Sequence, residues 1–159
     1  MSNDSRADAR HAARLASVQA LYQMEISGAG SLEVAEEFAA YRFAELPVAP
    51  DAEFFNAIVD GVPRHQVEID RAIAASLSQS WKLERVDSIL RAILRCGVFE
   101  LVARRDVPAK VVIDEYVALA GAFFGADEPG FINGALDNIA RRKRASEFGL
   151  PAPEGELDF

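Results

Sequence analysis

Hydrophobic positions recur every three or four residues along most of this chain, the spacing of helices that bury one face. No segment alternates apolar and polar residues, and no Asn-Gly or Asp-Gly pair marks a hairpin turn. The pattern predicts an all-α protein. A first helix is expected over Ser5 to Ser27, with Leu15, Val18, Leu21, Tyr22 and Ile26 on its apolar face and Gly28-Ala29-Gly30 ending it. Ser31 is placed to cap a second, short helix reaching Phe43. An extended connector, Glu45 to Pro50, leads to Asp51, which caps a third helix carrying Phe54, Phe55, Ile58, Val59 and Val62. Pro63 interrupts it, because proline lacks the amide donor and clashes with the preceding turn. A fourth helix carries Val67, Ile69, Ile73 and Leu77, and Ser80-Trp81-Lys82-Leu83 is a short link.

The fifth helix, ending at Ala103, has the densest apolar pattern: Ile89, Leu90, Ile93, Leu94, Val98, Leu101 and Val102. Asp106-Val107-Pro108 breaks it and starts a sixth helix, with Val111, Val112, Ile113, Val117 and Leu119, that ends near Gly125. Glu128-Pro129 begins the last, which runs through Leu136 and Ile139 to about Arg144. Short connections between about seven helices favour a compact bundle. A single domain over residues 1–146 is expected, in sub-bundles of about 5–79 and 80–146. Residues 147–159 read as an acidic, disordered tail.

At 159 residues and 50% hydrophobic, the chain can bury a core. It contains no apolar run of about eighteen residues, so no membrane span is expected. The opening MSNDSRADAR lacks the apolar stretch of a secretory signal. The single cysteine, Cys96, lies in an apolar helical pattern and reads as a small buried hydrophobe in a reducing cytoplasm. The net charge of −8 argues against a uniformly basic nucleic-acid binder and moves the question to where the positive residues lie.

Catalytic chemistry finds no support. His11 and His65 have no metal-ligand spacing, and no Gly-rich phosphate loop or zinc pattern occurs, so neither cofactor nor metal is expected. Asp114-Glu115 and Asp127-Glu128 are adjacent acids that point different ways on a helix. The first helix says more. Arg6, Arg10 and Arg14 recur every four residues on one face, with His11 beside them and Tyr22 two turns beyond Arg14. Guanidinium planes suit phosphates and an aromatic ring suits an unpaired base, although a solvated face with local ion pairs and a core tyrosine fit the same spacing. Arg141-Arg142-Lys143-Arg144 is the one dense basic run, fit either for a helix C-terminus or for phosphate. Phe131-Ile132-Asn133-Gly134 is a poor helix former, for which close backbone packing or a binding role would each account.

Several of these segments together resemble the NusB family of bacterial transcription antitermination factors. They are Arg14-x-x-x-Val18-Gln19-Ala20-Leu21-Tyr22, Ile93-Leu94-Arg95 with Phe99-Glu100-Leu101, Asp106-Val107-Pro108 through Val112-Ile113-Asp114-Glu115, and Phe124-Gly125-Ala126 with Phe131-Ile132-Asn133-Gly134-Ala135-Leu136-Asp137. The likeness covers about residues 9–142. It departs from the family at His11 and Ala12, where arginine is common, at Leu15 and Leu90, where acids are common, and at Gly130, where a basic residue is frequent.

The resemblance implies two small helical bundles and a non-enzymatic factor. Such a factor binds boxA-type single-stranded RNA together with NusE, a small-subunit ribosomal protein, and works on ribosomal RNA operons with other Nus factors and RNA polymerase. Carried over, Arg10, Arg14 and Tyr22 become RNA contacts, with Arg6 and His11 on the same helix; Phe131 becomes a base-stacking residue and Asn133 helps shape its site. The other reading is a homodimeric or hetero-oligomeric interaction module that never touches RNA, favoured by the low pI and disfavoured by the order of the motifs. NusB-like domains also occur fused to RNA methyltransferases, but this chain carries no Gly-rich cofactor loop.

Overall fold

The computed structural model describes residues 3–77 and 82–151. Among them are seven α-helices and no strand. These are α1 (Asn3–Ser27), α2 (Ser31–Glu37), α3 (Ala52–Arg64), α4 (Gln66–Ser76), α5 (Ser88–Ala103), α6 (Ala109–Phe123) and α7 (Asp127–Lys143). No helix of the described residues is long and apolar enough to cross a membrane.

The chain divides into two compact units, one ending at Arg64 and the other starting at His65. The boundary falls well before the expected residue 80. The reason is side-chain chemistry on α4. Ile69 and Ile73 are fully buried, and Arg95 of α5 grips Asp70 with two hydrogen bonds of 2.8 and 3.0 Å. A bidentate pair of this kind fixes orientation as well as distance. Helix α4 therefore packs on α5 and α7. Trp81 of the expected link lies outside the described residues.

In the first unit α1 packs on α3, and α2 on both. Gly28, with φ +74°, ends α1 in a conformation other residues rarely adopt. Two local expectations fail. Helix α2 is capped by Gly30, and Ser31 is its first residue with no capping bond. The predicted face of α1 is also displaced. Val18 and Leu21 are buried as expected, but Leu15 is half-buried, Tyr22 and Ile26 are exposed, and Ala13, Ala16 and Ala20 are buried beside them. Alanines let a neighbouring helix approach closely, and burial runs round most of α1 from Ala12 to Leu21. Asp51 caps α3 as expected, accepting from the Phe54 amide at 3.1 Å.

In the second unit α5, α6 and α7 pack on one another around Ile93, Leu94, Leu101, Ile132 and Leu136. Gly97 is needed for the α5–α7 approach, since a Cβ there would lie 2.9 Å from both terminal carbons of Leu136. Val67, expected in the apolar pattern, is exposed. Tyr116 of α6 donates to the buried carboxylate of Glu100 on α5, satisfying both polar groups inside the core. Cys96 is buried as read from the sequence. Burial, then the charge of Glu100, push its thiol well above the ordinary range, with Arg95 opposing.

The basic run is split by packing. Arg141 pairs with Asp137 and lies over the Phe148 ring. Arg144, only 3% exposed, donates to the carbonyls of Glu100, Leu101, Arg104 and Val107 and to the Glu147 carboxylate. It thus serves a helix C-terminus, but that of α5 rather than its own. Glu147 closes the clasp by accepting from the Ala109 amide at 2.9 Å, which caps α6 where Pro108 offers no side-chain cap. Residues Ala145–Phe148 form a 3-10 turn, so described, hydrogen-bonded structure extends past residue 146; residues 152–159 lie outside the described part.

Replacing Arg144 by Met strands buried carbonyls, and urea unfolding is expected to show a stability loss of about 3 kcal/mol at unchanged m-value. Partial burial alone would raise the Glu147 carboxyl. The Ala109 amide, then Arg144 and Arg105, outweigh it and hold the carboxyl below its usual range. A lowered carboxyl stabilises above its unfolded value, and that stabilisation is lost as pH falls through the folded value. Melting temperatures of Glu147→Gln across the acid range should therefore fall less steeply than those of the parent protein; parallel curves would contradict the assignment.

Candidate nucleic-acid interface

The residues singled out on α1 do not form one solvent-facing stripe. Arg6 is exposed. Arg10 and His11 are half-buried. Arg14 is 2% exposed. Tyr22, at 38%, is at the surface and not in the core. Arginines at i and i+4 share a face, and here that face turns onto α3. The guanidinium carbons of Arg10 and Arg14 lie 4.7 and 4.9 Å from the centroid of the same ring, Phe54. Arg10 also approaches Asp51, Nε to Oδ2 at 3.8 Å. Arg14, expected among the RNA contacts, has its guanidinium withdrawn from solvent and stacked over a buried ring.

In the second unit Phe131 is half-buried in the first turns of α7. Asn133 and Gly134 are exposed, between the buried Ile132 and Ala135. The unusual composition of this segment is not explained by close packing, because a Cβ at Gly134 would meet nothing within 4 Å. Among the described residues no group of three or more His, Cys, Asp or Glu side chains could hold a metal ion.

Comparison with known proteins decides the family. The NusB family profile matches residues 11–141. The chain belongs to the NusB family. It is 51% identical over 151 residues to the transcription antitermination protein NusB of Maricaulis maris, covering 92% of this chain and 94% of that one. The Nitrobacter winogradskyi protein of the same name is 52% identical over 152 residues, covering 91% and 93%. The solved Thermotoga maritima (T. maritima) NusB superposes with a TM-score of 0.75 at 29% identity, covering 89% of this chain and 97% of that one. A structure of antitermination factors NusB and NusE in complex with dsRNA gives a TM-score of 0.73 at 26% identity, covering 84% and 97%.

Within this NusB-family chain, sequence reading missed Phe54 and Asp51 as neighbours of the arginines. Phe54 read as core and Asp51 as a cap, and both are. Nothing in the local pattern indicates that a residue some forty positions away supplies the face on which Arg10 and Arg14 rest. Arg144 was likewise visible only as one cation in a run. The spacing of the arginines was the one signal that they share a neighbour.

Gly134 sits in a helix with open space beside it, so Gly134→Ala should raise stability by about 0.5–1 kcal/mol, the helix-interior difference between the two residues. Thermal unfolding checks this, and a destabilised variant would show that the glycine has a structural need.

Proposed function

We propose that this NusB-family chain is a non-enzymatic antitermination factor that binds boxA-type single-stranded RNA jointly with a NusE-type ribosomal protein. It thereby promotes processive transcription of ribosomal RNA operons, meeting other Nus factors and RNA polymerase indirectly. The observation that carries the reading is the likeness, over most of the chain, to a NusB that was solved with NusE and dsRNA. Charge supports the need for a partner. A chain of net charge −8 has little long-range attraction for RNA, and a basic ribosomal protein would supply it.

The proposed contacts divide by exposure. Arg6 and the outer part of Arg10, with His11, meet phosphates; Tyr22 stacks on a base. Phe131 and Asn133 form a second set of contacts on the other unit. Arg14 contributes a fixed positive charge beneath the surface rather than a direct contact.

Binding to boxA-type and scrambled RNA, with and without the NusE-type protein at fixed salt, tests the reading. Selective binding that strengthens with the partner is expected. Tyr22→Ala should weaken it by about 1–3 kcal/mol, the worth of one base–aromatic stack. Arg6→Ala should make the salt dependence shallower by roughly one ion. Absence of selectivity with the partner present would leave a helical interaction module and overturn the proposal.

A further inference from the structure

We propose that Phe54 is a positioning residue for RNA binding: its ring sets the direction of the Arg10 guanidinium, with Arg14 packed against the same ring as the buried member of the pair. The inference rests on the RNA-binding reading above.

Four observations converge on this arrangement. Phe54 is fully buried, so its own orientation is fixed by the core. Both guanidiniums lie within 5 Å of its centroid, at 4.7 and 4.9 Å. Their exposure differs sharply: the Arg10 side chain is 25% exposed, whereas Arg14 is 2%. The start of α3 is locked to α1 at this point, because the Asp51 amide donates to the Ala9 carbonyl at 2.9 Å while Asp51 Oδ1 caps α3 through the Phe54 amide. The other carboxylate oxygen of Asp51 is the one 3.8 Å from Arg10 Nε. One four-residue segment, Asp51 to Phe54, therefore fixes the ring, the helix start and the neighbour of Arg10 together.

The physical consequence concerns entropy and direction. An arginine on an open helix face samples many rotamers, and most of that freedom is lost when it meets a phosphate. A guanidinium resting on a ring has its plane defined beforehand, so its edge is aimed before an anion arrives. Buried Arg14 adds positive potential below that edge without competing for the phosphate. Phe54 touches no RNA in this account; it acts through Arg10.

The experiment compares the full-length protein with Phe54→Leu and Phe55→Leu. Phe55 is an equally buried neighbour that packs on Phe38 and Phe43, so its loss matches the core damage at a different contact. Affinity for boxA-type RNA in the presence of the NusE-type protein is measured, together with the NMR shift of the Arg10 Nε–H group. Phe54→Leu is expected to lower affinity roughly five- to tenfold, in the range of a partly desolvated cation–π contact, and to remove the ring-current shift of Arg10. Phe55→Leu should leave both near the parent values. Equal affinities for the two variants, against selective binding by the parent, overturn the positioning role alone. Absence of selective binding by the parent overturns the functional reading and this inference with it. Should Phe54→Leu fail to fold, Arg10→Lys decides: it keeps the charge but loses the planar face. A severalfold fall supports the proposal and an unchanged affinity overturns it.

Discussion

A guanidinium removed from water must be met by oxygen acceptors or an aromatic face, and among the described residues each unit contains one buried arginine under that constraint. Arg144 meets four backbone carbonyls and the Glu147 carboxylate. Through them it ties the end of α5, the link to α6 and the turn after α7 to one another. Arg14 lies over the ring of Phe54, which α3 presents to α1. Arg95 holds α4 to α5 through Asp70, and the Tyr116–Glu100 pair closes the polar accounts of the core between α5 and α6.

The same constraint sorts the basic residues by role. In a chain of net charge −8, cations used to terminate helices or to fill core positions are not available to RNA. Arg14 and Arg144 are spent in that way, and Arg141 is engaged by Asp137 and Phe148. Arg6 and the outer part of Arg10 remain toward solvent, with Tyr22 further along α1. Arg64, Arg71, Lys82, Arg85, Arg105 and Lys110 are exposed as well, so what sets the α1 arginines apart is their position and orientation and not a scarcity of outward charge.

Much of this was legible in the chain itself. The 3–4 periodicity determined that the protein is helical, where most helices begin and end, that Asp51 caps α3, and that Cys96 is buried; the order of short motifs was enough to place the family. These properties follow from local backbone preference and from the hydrophobic faces of single helices, both of which act over a few residues. Which unit α4 joins, which face of α1 is enclosed, and which arginine of each basic series is withdrawn from solvent were decided only by tertiary structure. Periodicity shows that Arg10 and Arg14 share a face, but not that the face turns onto Phe54. A run of four cations does not show which one finds the open carbonyls at the end of another helix. Burial of a charge depends on partners brought together from distant parts of the chain, and no local pattern encodes that meeting.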